Sequence, residues 1–210
     1  MPKKLVYEHG INDSDEPICK QEKINGKWKV IWRCPIYTMW RNILERCYSQ
    51  KLKDKFPTYK DCTIHEEWLY FSNFKSWVLT QPYQNRDIDK DLLYKNNKHY
   101  SPHTCIFVPH EINTFILQSS TIRGDYALGV SYNACRKAKP FYSYISVENK
   151  KLHLGVFDNE YEAHLAWQHK KIYFCNQYIE KYTDDKNIIL VLEKYRDSIQ
   201  KDIDENRFTI

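Results

Sequence analysis

The sequence predicts an α+β protein in two parts: a strand–loop–strand–helix unit between flanking helices, then a small three-stranded sheet with one helix. Two observations carry this prediction. Before residue 122, apolar residues recur mainly at the spacing of amphipathic helices, whereas from Leu128 onward short segments alternate between apolar and polar side chains, as strands do. With 42% hydrophobic and 15% aromatic residues the chain can build a core, which excludes disorder throughout.

The predicted elements divide the chain into four segments. Residues 1–34 are a polar N-terminal extension, residues 35–122 the first domain, residues 123–182 the second domain, and residues 183–210 a C-terminal helix and tail. Within the extension, the run Lys27–Trp32 is β-like in composition.

Helices flank the first domain. Pro35 opens a helix whose apolar residues recur every three or four positions, and a loop follows it over residues 50–62. A second helix is predicted over residues 65–81. Its aromatic stripe indicates packing rather than base stacking, because rings at this spacing on one helix face bury each other: Trp68, Phe71, Phe74 and Trp77.

Residues 87–118 form the strand–loop–strand–helix unit. Its strands are predicted over Ile88–Leu92 and Cys105–Val108, and its helix begins at Pro109 or His110. Asn and Pro residues mark the polar loop between the strands.

This unit resembles the HNH, or ββα-metal, nuclease motif, so the first domain is expected to be HNH-like. The motif places an acidic residue on its first strand, an Asn in the loop and an Asn or His on the helix. Asp89, Asn96-Asn97 and Asn113 stand at those places, and the interval of 24 positions from Asp89 to Asn113 falls in the family's usual range. The resemblance implies that Asp89 and Asn113 hold one Mg²⁺ or Mn²⁺ ion and that Asn97 or Asn96 orients the general base.

The base position departs from the family pattern, because Lys90 stands where the family has a histidine. A lysine with an ordinary pKa of about 10.4 is protonated and cannot accept a proton. His99, His103 or His110 could supply the base or a ligand, or Lys90 could neutralise phosphate charge while the metal activates water. A nuclease-like scaffold used only for binding and an unrelated structural hairpin remain alternatives.

The span from Pro35 to Asn113 also resembles bacteriophage HNH or homing endonucleases, through CPIYTMWRNILERCYS, the spaced aromatic residues and DKDLLYKNNKHYSPHTCIFVPHEIN. This resemblance implies a divalent-metal-dependent DNA endonuclease in the cytoplasm of a phage-infected bacterial cell. Because only one such unit is present, a monomer is expected to make one nick at a time, and both a monomer and a homodimer remain open. The alternative is a non-catalytic DNA-binding protein, a phage regulator or counter-defence factor, with a degenerate HNH fold.

The second domain contains three short alternating strands, LGVSYN, FYSYISVE and KLHLGVF, with a tight turn at Asn149-Lys150. A helix follows, capped by Asp158 or Asn159 with Glu162 behind it. LGVFDNEYEA and the strands before it resemble the APETALA-type domain of plant ethylene-response factors, in which a three-stranded sheet lies in the major groove. The resemblance implies that this domain targets the protein to double-stranded DNA.

The strands and turns of this domain are rich in basic and aromatic residues, which pair with phosphates, sugars or base edges. Those expected to contact DNA are Arg136, Lys137, Lys139, Tyr142, Tyr144, Lys150, Lys151 and His153. The alternative is a solvated sheet edge with no partner. An RNA partner is disfavoured, since such a sheet does not enter the deep, narrow groove of A-form RNA.

Two features are structural in this interpretation. The seven cysteines include no closely spaced pair, so they are either buried thiols or, for four of them, ligands of a structural Zn²⁺: Cys34, Cys47, Cys62 and Cys105. The apolar residues of the last helix, residues 184–201, are expected to pack back onto the protein or onto a second copy.

The remaining inferences come from charge and hydropathy. The formal net charge is +5, which suits a polyanionic partner. The longest aliphatic run, Ile188–Leu192, is far shorter than the roughly 20 residues of a membrane span, and the first ten residues contain no apolar signal segment. We therefore expect an intracellular protein without a membrane partner.

Overall fold

The computed structural model describes residues 5–116, 125–148 and 150–209. These residues form a mixed α+β structure, which confirms the predicted fold class at that level. The chain divides into two compact units, Met1–Val108 and Pro109–Ile210. The boundary predicted between residues 122 and 123 lies outside the described residues.

The first unit begins with an antiparallel β-hairpin of two strands, β1 (Cys19–Ile24) and β2 (Lys27–Arg33). Asn25 and Gly26 form its turn with φ angles of 52° and 78°, the left-handed backbone that a tight two-residue hairpin turn requires. The sequence predicted most of β2 but not β1.

Helix α1 (Pro35–Tyr48) begins at the predicted proline. The predicted loop after it is wrong over α2 (Gln50–Lys55), which forms because the Ser49 side chain accepts the backbone N–H of Leu52 and caps the helix. A short 3₁₀ helix and a two-residue strand, β3 (Thr63–Ile64), follow.

The helix predicted over residues 65–81 is divided at Tyr70. A 3₁₀ helix precedes this residue and α3 (Phe71–Leu79) follows it. The N-terminal segment causes the break: the Ile11 N–H donates to the carbonyl of Leu69, and the Phe71 N–H donates to the carbonyl of Ile11. These two hydrogen bonds hold the backbone extended at this point.

Aromatic side chains fill the core of the first unit. Trp68, Phe71 and Phe74 are at most 1% exposed, which confirms that the aromatic stripe is packing. Trp40 of α1 is also fully buried, and its indole N–H donates to the carbonyl of Trp68 at 2.6 Å.

Three strands and a helix complete the region of the HNH resemblance: β4 (Arg86–Asp89), β5 (His99–Tyr100), β6 (Ile106–Pro109) and α4 (His110–Ile116). Strand β4 pairs with β6, whereas β5 pairs in parallel with β3. Strand β4 ends at Asp89, whereas the sequence predicted that this strand continues to Leu92. The Asp89 side chain accepts the backbone N–H groups of Asp91 and Leu92 and turns the chain.

The second unit contains α4 and an antiparallel sheet in the order β7–β8–β9. The strands are β7 (Val130–Tyr132), β8 (Phe141–Val147) and β9 (Lys150–Phe157). Strand β9 starts at Lys150, which the sequence placed in the turn, and Glu148 adopts the left-handed φ of 52° between the strands. Residue 149 lies outside the described residues.

Helix α5 (Glu160–Lys181) packs on this sheet, and α6 (Lys186–Asp204) packs on α5. The Asn159 side chain caps α5 by accepting the Glu162 N–H at 2.9 Å, as predicted. Four apolar residues of α6 are buried, which confirms their packing within the protein: Ile188, Val191, Leu192 and Ile199. Leu190 of the same helix is exposed. Across the described residues, no helix combines the length and the apolar character needed to cross a lipid bilayer.

Candidate functional site

One face of the β7–β9 sheet is buried and the other is open. Ser143 and Ile145 of β8 are buried, whereas their neighbours Tyr142 and Tyr144 are only half-buried, as alternation along a strand requires. The register sets His153 of β9 directly opposite Tyr144. The open side therefore carries aromatic side chains that the sequence could name but could not assign to a face.

We define the outer sheet face as the side chains of Tyr142, Tyr144, Lys151 and His153. Its three rings lie side by side in one array. The two tyrosine rings are parallel within 4°, with centroids 6.3 Å apart, and the imidazole of His153 lies 5.1 Å from the Tyr144 ring. The Lys151 ammonium group lies 4.1 Å from the Tyr144 centroid, within range of a cation–π interaction.

Arg136 extends the array from the loop between β7 and β8. Its guanidinium group donates to the Tyr142 hydroxyl at 3.0 Å and lies 5.6 Å from that ring. This hydrogen bond lowers the pKa of Tyr142. The other three basic residues predicted to contact DNA, Lys137, Lys139 and Lys150, are exposed. The structure thus brings Arg136 together with the outer sheet face.

A shallow polar concavity of about 430 Å³ lies beside the array. Besides Tyr142 and Tyr144, its lining includes Tyr132, Asn133 and Ala134, which sequence reasoning missed. Tyr132 is 44% exposed although it is a large ring on a strand. Its place in the alternating segment LGVSYN is the signal that could have identified it.

The other candidate site is centred on Asp89, the last residue of β4. One carboxylate oxygen accepts two backbone N–H groups, at 2.6 and 2.8 Å. Burial raises the pKa of Asp89 and outweighs these hydrogen bonds, which lower it. Asp89 is therefore a desolvated carboxylate at a turn.

Lys90 is buried rather than presented to solvent. Its ammonium group donates to both carboxylate oxygens of Asp91 at 2.7 and 2.6 Å and to the carbonyl of Asn97 at 2.8 Å. The Asn97 side chain in turn donates to the carbonyls of Lys90 and His99. Lys90 and Asn97 therefore hold the loop between β4 and β5 in shape, and Asn96 is an exposed residue of that loop with a positive φ of 65°.

Of the three candidate histidines, His99 lies in this loop network. Its Nδ1 is 2.9 Å from the Thr63 hydroxyl, and its ring lies 6.3 Å from that of His65, a residue that sequence reasoning missed. Burial, with a smaller contribution from His65, lowers the pKa of His99. His103 and His110 are exposed.

Asn113 lies on α4, in the second unit, whereas Asp89 lies in the first. Helix α4 packs within its own unit, where the Phe115 ring meets Tyr178 at 5.0 Å and the Phe115 carbonyl accepts a hydrogen bond from Lys171. The two residues that the HNH resemblance implies as metal ligands therefore lie in different compact units.

The four cysteines considered as zinc ligands do not assemble. Cys47, Cys62 and Cys105 are buried free thiols and Cys34 is half-buried. Burial raises the pKa of Cys47 and of Cys105 to about 12. Across residues 5–116, 125–148 and 150–209, no three His, Cys, Asp or Glu side chains form a group that could hold a metal ion.

Comparison with protein-family models, curated proteins and solved structures found no match for this chain. The candidate functions therefore rest on the geometry of the chain itself.

Proposed function

We propose that this protein binds double-stranded DNA through the outer sheet face of the second unit. The observation that carries the proposal is the ordered array of parallel tyrosine rings, flanked by the cations of Arg136 and Lys151 and by His153. Aromatic and imidazole groups contact sugars and base edges, while the cations neutralise phosphates.

The rigidity of the array supports a binding role. Lys and Arg lose side-chain entropy when a ligand fixes them. Here Tyr142 and Tyr144 already orient Arg136 and Lys151 by a hydrogen bond and by cation–π contacts, so part of that cost is met before binding. The exposed Lys137, Lys139 and Lys150 add positive charge along the same strands and turns.

A salt titration of the full-length protein tests the proposal. Neutralising Arg136 and Lys151 (Arg136→Gln with Lys151→Gln) should weaken duplex binding and reduce the slope of log K against log[salt] by about 2, since each phosphate contact contributes about 0.9. Lys186→Gln with Lys201→Gln on α6 removes the same charge and is the matched control. Equal slopes for the two double variants would contradict the proposal.

A second candidate function is cleavage of the bound DNA by a divalent-metal-dependent endonuclease. The chain order favours it: β4 ends at Asp89, a loop with the two-residue strand β5 follows, and β6 leads into α4, which carries Asn113. A hard cation suits Asp89, because it would offset the burial that disfavours the ionised carboxylate. Asp89 would be a ligand of Mg²⁺ or Mn²⁺, which when bound stabilises developing charge on phosphate oxygens.

His99 is the histidine that best fits a general base for this reaction. Burial lowers its pKa, so the imidazole is neutral and able to accept a proton at neutral pH. The Asn97 side chain donates to the backbone carbonyls of Lys90 and His99. These hydrogen bonds fix the loop that leads to His99.

Conversion of supercoiled plasmid to the nicked form, with Mg²⁺, Mn²⁺ or a chelator, tests cleavage. Asp89→Asn and His99→Gln should each abolish nicking and leave duplex affinity unchanged, whereas Asp61→Asn, an exposed carboxylate of the same unit, should nick normally. Nicking that survives Asp89→Asn would exclude this site.

The alternative to cleavage is DNA binding without catalysis. Its supporting observation is Lys90, whose buried ammonium group is bonded to Asp91 and Asn97 at the position where the nuclease family has its base. Tight duplex binding with no nicked product in Mg²⁺ or Mn²⁺ would favour this alternative and leave the proposed sheet contact intact.

A further inference from the structure

The β1–β2 hairpin of the first unit is exposed on both faces. Every residue from Lys20 to Arg33 is exposed to solvent, including Trp28 at 69% and Trp32 at 42%. The hairpin forms its own two-stranded sheet, and no other strand pairs with it in the part of the chain that the structure describes. Large apolar side chains on so exposed an element are typical of a surface that meets a partner.

This hairpin is also strongly basic. Between residues 20 and 33 there are five basic side chains and one acidic one, a net of +4, whereas the whole chain has +5. The basic residues occupy both strands: Lys20, Lys23, Lys27, Lys29 and Arg33. Such a density of one sign disfavours a second copy of the same hairpin as the partner and favours a polyanion.

The pairing of the strands places a cation opposite each exposed tryptophan. Lys23 is the cross-strand partner of Trp28, and Lys20 is that of Trp32, with its ammonium group 5.9 Å from the indole centroid. Each pair combines a flat apolar ring with a neighbouring charge. That is the chemistry that contacts duplex DNA, since the ring meets a sugar or a base edge while the cation meets the phosphate.

The dimensions agree with a duplex groove. The strands of a ribbon are about 4.8 Å apart, and a strand of seven residues such as β2 extends about 23 Å. The major groove of B-DNA is about 12 Å wide and admits a two-stranded ribbon.

We propose that the β1–β2 hairpin is a second DNA-contacting element, which enters a groove of double-stranded DNA and neutralises its phosphates with lysines on both strands. The partner is the same class as that of the proposed function, but the residues are different and lie in the other unit. The contact does not require a cleavage reaction.

Two hairpin variants of the full-length protein test the proposal in duplex titrations over a range of salt. Lys27→Gln with Lys29→Gln should reduce the slope of log K against log[salt] by about 2. Trp28→Ser should weaken binding by about tenfold at every salt concentration and leave the slope unchanged, because burial of the indole against sugars and base edges releases no counterion. All three residues are exposed, so these changes leave the core intact.

The matched control is Lys51→Gln with Lys55→Gln, which removes the same charge from two exposed lysines of α2 in the same unit. If this control reduces the slope as much as the hairpin variant does, the attraction is diffuse and the hairpin proposal is wrong. The hairpin proposal is also wrong if the hairpin variants leave duplex binding unchanged. This holds even if they weaken binding to single-stranded DNA or RNA, or self-association measured by sedimentation.

Excision of the hairpin gives an independent test. The base of the hairpin is closed by the Cys34 N–H donating to the Ile18 carbonyl at 2.9 Å, so a two-residue Gly-Gly turn can replace residues 20–32. The excised protein should retain its circular dichroism and lose the hairpin's share of the salt slope. If only the Arg136/Lys151 variant reduces the salt slope, the proposed function is supported and this inference is overturned. If only the hairpin variants reduce it, this inference is supported and the proposed contact by the outer sheet face is overturned.

Discussion

At the residue scale, Lys171 is the most unusual group of the second unit. It is 5% exposed, lies 3.8 Å from the Phe115 ring centroid, and donates to the Phe115 carbonyl, the penultimate residue of α4. Burial lowers its pKa from the ordinary 10.5 to about 8. Lys171 thus ties α4 to α5 while its charged form is disfavoured by burial.

This burial predicts a pH dependence of stability. Between about pH 8 and pH 10.5 the unfolded chain binds a proton at Lys171 that the folded protein has lost, so the free energy of unfolding rises with pH in this window. Relative to Lys171→Met, the parent should gain about 2 to 3 kcal/mol between about pH 7 and pH 10. Urea unfolding at several pH values measures this, and Lys170→Met is the control. Parallel pH curves for the parent and Lys171→Met would contradict it.

Single residues also mark the limit of sequence reasoning at the candidate sites. Tyr142, Tyr144, Lys151 and His153 could be named from composition and resemblance. That the residues of the two strands share a face depends on the register that pairs Tyr144 with His153, which alternation within each strand does not specify. Burial of the Lys90 ammonium group was equally hidden, because its partners depend on the conformation of the loop.

At the element scale, long periodic segments were predictable and short ones were not. Helix α1, helix α5 and the three strands of the second unit each repeat an apolar pattern for long enough to be recognised. Strands β3 and β5 contain two residues each and exist only because they pair with each other across 36 positions, Thr63 with His99. Strand β1 is exposed on both faces and so lacks the apolar alternation that identifies a half-buried strand.

The junction of sheet and helix in the second unit depends on Gly129. Its φ is +74°, and a Cβ built on it would lie 2.1 Å from the Trp167 ring. Gly129→Ala should therefore cost about 2 to 4 kcal/mol, from backbone strain together with overpacking. Gly26→Ala isolates the backbone strain, because Gly26 has a similar φ of +78° and no atom lies within 4 Å of a Cβ built on it. This substitution should cost about 1 kcal/mol. Thermal unfolding compares the two, and equal losses would contradict the Trp167 contact.

At the scale of the whole molecule, positive charge is concentrated in two places with different architecture. The hairpin of the first unit carries a net +4 over residues 20–33, while the loop and strands around the outer sheet face carry five basic residues and one acid from Arg136 to Lys151. The C-terminal residues 183–210 are acidic, with five basic and seven acidic side chains. A modest overall charge of +5 therefore conceals two strongly basic surfaces, one on each unit.

This distribution predicts how the two surfaces combine on one duplex. If the hairpin and the outer sheet face contact separate phosphates of the same DNA, the reductions in salt slope should add: the variant carrying Lys27→Gln, Lys29→Gln, Arg136→Gln and Lys151→Gln should lose about 4 in slope, against about 2 for each pair alone. The salt slope reports the number of phosphates that the protein neutralises at once. It therefore distinguishes simultaneous binding by the two surfaces from binding by one surface at a time. Fluorescence anisotropy on a long duplex measures the slope, with Lys51→Gln, Lys55→Gln, Lys186→Gln and Lys201→Gln combined as the control of equal charge. A combined loss no greater than that of either pair would mean that only one surface engages the DNA at a time.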